Sequence, residues 1–370
     1  MSIKYVLRKI HEYRVRSLSI PFIDREFEIE NILNITKRSK EYMHILTITG
    51  PWGCGKTELA RALTSTLNTQ DYTTIYINLT EEEIEEIIST IKPEIKEVIK
   101  NLLTSLESIT KIPFHLYTLL KNIHEKLSLR DKIVIIFIDE ITKSLDKYRV
   151  SIRDFISAMS IKIYDICSSL ELKALYPIIL TSDQSAIHYF IKERGKDMLT
   201  YLIWNLPKNA HEELLKKLNC PLSHDLIWEL CGGNPRELIE LFRKNWNIEK
   251  YINEKIETCR EITIYAKDLN VINYLEEIIN NVDNLKPYIP KTQIPEYILT
   301  TKLIEDNVII IIDDRLDKLS QIPKNEPWIG KERAFQIPIH YWILKTIIEK
   351  KKINIKHKEV LEQINQHLKK

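Results

Sequence analysis

Apolar residues gather in short runs between residues 44 and 182: HILTIT (44–49), YTTIYIN (72–78), IVIIFID (133–139) and PIILT (177–181). Each has the length and composition of a strand. Runs that are apolar at nearly every position suit strands covered on both faces, as in a parallel sheet flanked by helices. Helical patterns separate them. KTELARALTSTL (56–67) sets Leu59, Leu63 and Leu67 on one face, and Thr80 is a candidate N-cap whose following Glu81, Glu82, Glu83, Glu85 and Glu86 suit a helix dipole. From Pro207 to about Trp246 the pattern is helical, with Leu214, Leu215 and Leu218 in register, which predicts a compact helical subdomain. Between about 266 and 350, helical stretches lead to two β-prone segments, NVIIIIDD and RAFQIPIHYWILK, around a polar turn from Asp313 to Gly330. That order predicts a winged-helix-like module. The expected organisation is a basic N-terminal segment (1–20), an α/β core (21–205), a helical lid (206–250), the winged-helix-like domain (251–350) and a basic C-terminal helix (351–370).

Glycine is scarce and unevenly placed. The chain has only seven, against roughly 26 at ordinary usage, and five fall in two clusters: GPWGCGKT (50–57) and CGGNPREL (231–238). Gly50, Gly55, Lys56 and Thr57 satisfy G-x-x-x-x-G-K-[ST], the phosphate-binding loop. Such a loop converges backbone N–H groups on phosphate oxygens, so Gly50, Pro51, Trp52, Gly53, Cys54, Gly55, Lys56, Thr57 and Glu58 are expected around the phosphates. Lys56 is expected to reach the β- and γ-phosphates, and Thr57 to ligate Mg²⁺. The flanks agree, with a β-prone run before the loop and a helix after it whose N-terminus faces the anion.

Further residues complete a nucleotide constellation. IVIIFIDE ends an apolar strand in Asp139 and Glu140. The aspartate is expected to hold Mg²⁺ and the glutamate to polarise an attacking water, although an Asp-Glu pair can also simply end a strand. At the tip of PIILTSD, Thr181 or Ser182 is a candidate γ-phosphate sensor, the two not being separable, and both are ordinary turn formers. Arg194 is a candidate finger for a neighbouring subunit or a solvated surface arginine. In the second glycine cluster, Gly232 and Gly233 end one helix, Asn234 caps the next and Pro235 takes its first position. Arg236 then emerges from the first turn, either reaching over the phosphates or standing exposed at a helix corner.

Composition narrows the setting. Lys+Arg number 54 and Asp+Glu 52, a balance that singles out no partner by net charge. The longest apolar runs, 133–138 and 308–312, fall far short of a membrane span of about 18 residues, and the basic start lacks the apolar core of a signal peptide. No membrane association and a cytoplasmic location are expected. The five cysteines are scattered without a C-x-x-C pair, which argues for reduced thiols over a zinc or disulfide framework.

These residues resemble the AAA+-like P-loop ATPases, most closely the archaeal ATPases related to the STAND signalling NTPases. The resemblance rests on PFIDREFEIENIL (21–33), GPWGCGKT, IDE, the strand ending TSD, and GGNPREL, and runs from about residue 21 to 245. It implies an α/β P-loop NTPase fold of the ASCE/AAA+-like kind, with a parallel sheet, a helical lid and a C-terminal winged helix, and ATP with Mg²⁺ as the ligands. The loop lacks the two basic residues that many archaeal relatives carry before the glycine, and no clear arginine-finger motif follows Thr181. Assembly into a ring is therefore not carried over.

The function expected is a slowly hydrolysing ATP switch, with nucleotide state coupled to movement of lid and winged helix. The alternative is an ATP-regulated DNA-binding protein resembling origin-recognition initiators. Double-stranded DNA is its candidate partner, because residues 345–370 hold eight lysines against three glutamates and residues 3–16 hold five Lys+Arg against one glutamate. A homo-oligomer or a protein partner is the remaining candidate.

Overall fold

The computed structural model describes residues 3–16, 18–37, 44–78, 120–121, 124–125, 128–141, 151–192 and 198–369. The Thr80 cap with its glutamates, Arg194 and Gly195 lie outside the described residues.

Helices α1 (Ile3–Ile10) and α2 (Glu26–Thr36) precede β1 (Ile45–Thr49). Then come α3 (Lys56–Thr66), β2 (Tyr72–Asn78), β3 (Ile133–Asp139), α4 (Ile152–Ser169), β4 (Ala174–Leu180), α5 (Gln184–Lys192) and β5 (Met198–Leu202). The sheet runs β2-β3-β4-β1-β5, every neighbouring pair parallel. Strands β1 to β4 are buried at every position, as suits strands covered on both faces. Because β4 lies between β1 and β3, the glycine loop after β1 and the acidic pair after β3 open at the same sheet edge, the carboxyl end where open α/β sheets bind ligands.

The second half is mainly helical: α6 (Lys208–Lys217), α7 (His224–Cys231), α8 (Pro235–Arg243), α9 (Ile248–Asp268), α10 (Ile272–Asn280) and α11 (Pro295–Glu305). An antiparallel pair follows, formed by β6 (Ile309–Ile311) and β8 (Arg333–Phe335), with β7 (Asp317–Lys318) between them in sequence. Helices α12 (Pro338–Lys350) and α13 (His357–Leu368) complete the chain. One apolar cluster joins Ile23 to residues from Leu206 to Ile364, separate from the cluster that surrounds the sheet. A smaller cluster, including Ile187, Trp204, Ile310 and Leu316, joins the two at the β6–β8 pair. No helix among the described residues is long and apolar enough to cross a membrane.

Three sequence expectations need correction. The strand read at 177–181 begins at Ala174 and ends at Leu180, leaving Thr181 just beyond it. RAFQIPIHYWILK is strand only over Arg333–Phe335; Pro338 starts a helix at its first position, and α12 is apolar on nearly all sides because α7, α9 and α13 pack around it. The polar stretch after Asp313 contains β7, which pairs in parallel with β5 through Tyr201 opposite Asp317 and Leu202 opposite Lys318. The C-terminal half thus adds a sixth strand to the main sheet.

Candidate nucleotide site

The glycine loop connects β1 to α3, whose N-terminal N–H groups open onto a cavity of about 500 Å³, within the range of small-molecule sites. Residues Trp52 to Glu58 line it, together with Asp139, Glu140, Ser182, Pro235 and Arg236. Lys56 is buried, and its Nζ donates to the carbonyls of Gly50 and Pro51, each at 3.0 Å. Glu58 accepts from Tyr13 Oη at 3.0 Å and from Arg61 Nη1 at 3.2 Å, tying the N-terminal segment to α3.

Asp139 gathers donors on both oxygens. Its Oδ2 accepts from Thr57 Oγ1 at 2.7 Å and from Tyr76 Oη at 2.8 Å; its Oδ1 accepts the Glu140 N–H at 3.0 Å. Burial pushes the Asp139 carboxyl above its ordinary range, and the two hydroxyl donors oppose that shift. Glu140 adopts a left-handed backbone with φ 56°, an uncommon conformation for a non-glycine residue that recurs at functional sites. The structure separates Thr181 from Ser182. The Thr181 side chain is buried, with Oγ1 accepting the Asp183 N–H at 3.1 Å, whereas Ser182 lines the cavity.

The second glycine cluster sits on the first. Asn234 caps α8 by accepting from the N–H groups of Arg236 and Glu237, and its amide donates to the Trp52 carbonyl at 2.9 Å. The Arg236 N–H donates to the Gly53 carbonyl at 3.3 Å, and its guanidinium lies 3.5 Å from the centroid of the Trp52 ring. That stacking is worth about 1 kcal/mol at an exposed position. Beyond Arg236, Ile239, Glu240 and Arg243 follow at helical spacing on the cavity face of α8. The rest of the wall is mainly apolar, from Val15, Leu18, Ile20, Phe22, Leu206 and Leu214, with Arg25 as a further charged member. The lining therefore combines polar groups suited to phosphates with apolar side chains suited to a flat base.

Several residues of this site had no part in the sequence reading. Arg25, 2% exposed, pairs with Glu28 at 2.7 Å and donates through Nη2 to the Cys54 carbonyl at 2.6 Å. Its signal was present in PFIDREFEIENIL, one of the segments that carry the resemblance. Gln336 donates to the Trp52 carbonyl at 3.1 Å from nearly three hundred residues away, and Tyr76 reaches Asp139 from the neighbouring strand. Neither has a local signal, since each is a lone polar residue whose role depends on tertiary contact.

The residues suit ATP with Mg²⁺. Thr57 Oγ1 and Asp139 Oδ2 are a pair of adjacent hard oxygen donors. That donor count matches the habit of Mg²⁺, which is commonly shared between one or two protein oxygens and substrate phosphates.

No curated protein matches the chain. Among solved structures, that of the Aeropyrum pernix ORC2 protein (ADPNP-ADP complexes) is similar at 13% identity and a TM-score of 0.43, covering 93% of this chain and 98% of that one. A family model described as an ATPase domain predominantly from Archaea matches residues 22–241, which contain both glycine clusters and the acidic pair. The chain belongs to that family of archaeal P-loop ATPases.

Proposed function

We propose that the chain binds ATP with Mg²⁺ in this cavity, hydrolyses it slowly, and converts nucleotide state into movement of the segments that follow residue 205. One observation carries the reading: the Gly232–Arg236 corner rests directly on the phosphate loop, through Asn234 on the Trp52 carbonyl and the Arg236 N–H on the Gly53 carbonyl. A ligand that settles into the loop must therefore be felt at the start of α8.

Lys56 would exchange its bonds to the Gly50 and Pro51 carbonyls for phosphate oxygens, and Thr57 and Asp139 are the residues that would hold a Mg²⁺. When bound, the cation neutralises charge on the phosphates. Glu140 orients the attacking water and accepts its proton, while Ser182, facing the cavity, is better placed than Thr181 to sense the terminal phosphate. Arg236 moves from the Trp52 ring to the phosphates when α8 closes as the edge of a lid over residues 206–250. The winged-helix-like region (251–350) follows that movement. Around the basic C-terminus, Lys350 and Lys352 lie within 3.7 Å of Glu359 or Glu362, pairings that reduce the charge on which a duplex-DNA reading rests.

Two variants test the assignment. Lys56→Ala should abolish ATP binding, and Glu140→Gln should retain binding while losing turnover by at least about a hundredfold, within the usual contribution of a general base. Undiminished hydrolysis in either variant would overturn it.

A further inference from the structure

Asp139 takes a hydrogen bond from β2, a strand with no other part in the proposed chemistry. In the β2–β3 register, Asn78 is opposite Asp139 and Tyr76 opposite Phe137. Partners across a parallel pair, and residues two apart along a strand, share a face. Tyr76 therefore stands diagonal to Asp139, a separation of about 7 Å that a phenol can span and an aliphatic side chain cannot. This is the face that α3 covers: Thr74 Oγ1 donates to the Thr64 carbonyl at 3.3 Å, and the Arg61 guanidinium lies 5.2 Å from the centroid of the Tyr76 ring. The ring is completely buried, so its hydroxyl is held at a set place, 2.8 Å from Asp139 Oδ2. The same oxygen faces Thr57 Oγ1 at 2.7 Å.

Resting on the nucleotide reading above, we propose that Tyr76 is a positioning residue for cation binding: its hydroxyl fixes the Asp139 carboxylate in the orientation that pairs it with Thr57. A tyrosine placed only to fill space between β2 and α3 would be served equally by phenylalanine. What the hydroxyl adds is direction at one carboxylate oxygen. Hydrogen-bond partners of metal-ligating groups commonly contribute about 10- to 100-fold in metal affinity.

The test is binding of a fluorescent ATP analogue, in EDTA and across a Mg²⁺ series, to wild type, Tyr76→Phe and Asp139→Asn. Tyr76→Phe keeps the ring and its packing under Arg61, and thermal melts check that it folds. The proposal predicts unchanged affinity in EDTA, with the Mg²⁺ concentration for half of the metal-dependent gain raised about tenfold or more. Asp139→Asn marks the limit, with that gain lost. A purely structural role for Tyr76 would weaken binding equally with and without Mg²⁺, and that result, or an unaltered Mg²⁺ dependence, overturns the proposal. A wild-type protein that binds the analogue under neither condition overturns the nucleotide reading itself, and the proposal with it.

Discussion

A methyl group at position 53 would meet Arg236 Cβ at 2.5 Å and the Asn234 amide oxygen at 2.9 Å, on a backbone whose φ is 83°. Glycine is needed there for two independent reasons, conformation and the arrival of the second cluster. Gly53→Ala should therefore weaken ATP binding and lower stability by about 2 kcal/mol, combining left-handed strain with displacement of the α8 corner. Calorimetric binding and urea unfolding check this, and an alanine variant with wild-type affinity would mean that the two clusters do not work as one site. Gly330 illustrates the same economy elsewhere. Its missing side chain makes room for the Asp283 carboxylate, which accepts the N–H groups of Lys331, Glu332 and Arg333 at 2.7 to 3.0 Å. The phosphate loop was legible in the sequence because its chemistry is local: successive residues supply the donors, the ammonium and the hydroxyl. Tyr76 and Gln336 act on Asp139 and on that loop from distant segments, and spacing along the chain carries no trace of such contacts, whereas Arg25 does so from the segment PFIDREFEIENIL that the resemblance already singled out.

At the level of elements, β1 to β3 lie where their apolar runs placed them, because a strand buried on both faces leaves little else for such a run to be. Strand β5 is only half buried and alternates, while β7 has two residues, too few for any period. Helix α12 misled because a helix buried on all sides loses the polar stripe that marks its period. Its burial has a second consequence. Trp342 in α12 donates through Nε1 to Glu229 Oε2 in α7 at 3.0 Å, and His367 in α13 lies 4.0 Å from Oε1. Burial, reinforced by Glu326, pushes Glu229 from its ordinary value of 4.5 up to about 7. A carboxyl whose folded-state pKa is raised holds its proton more firmly in the native state. Its contribution is fully present below the unfolded value and is lost as pH rises through the folded one. Between about pH 5 and 8 the wild type should therefore lose on the order of 2 kcal/mol relative to Glu229→Gln, which keeps an acceptor for the Trp342 indole. Urea midpoints across that range check it, and parallel curves for the two proteins would contradict it.

On the scale of the whole molecule, the C-terminal half holds the phosphate loop and its surroundings at two places. Asn234 and Gln336 both donate to the Trp52 carbonyl, and Asn205 links them, accepting from Asn234 at 3.0 Å and donating to the Gln336 carbonyl at 3.4 Å. On the other side, Ser320 Oγ donates to Glu28 Oε1 at 2.6 Å, and Glu28 pairs with the Arg25 that binds the Cys54 carbonyl. In the proposed switch, these bonds would carry occupancy of the loop to the helical half. Breaking the buried Arg25–Glu28 pair by removing one partner would cost about 3 to 5 kcal/mol, so the route is stiff. The most direct test of the proposed switch is a distance measurement between spin labels at Ile161, 69% exposed on α4, and exposed Lys250 on α9, in the Glu140→Gln protein. If the lid moves as proposed, ATP with Mg²⁺ shifts the distance distribution away from that of the nucleotide-free and ADP-bound protein. Identical distributions in all three states, with ATP shown to be bound, would contradict it.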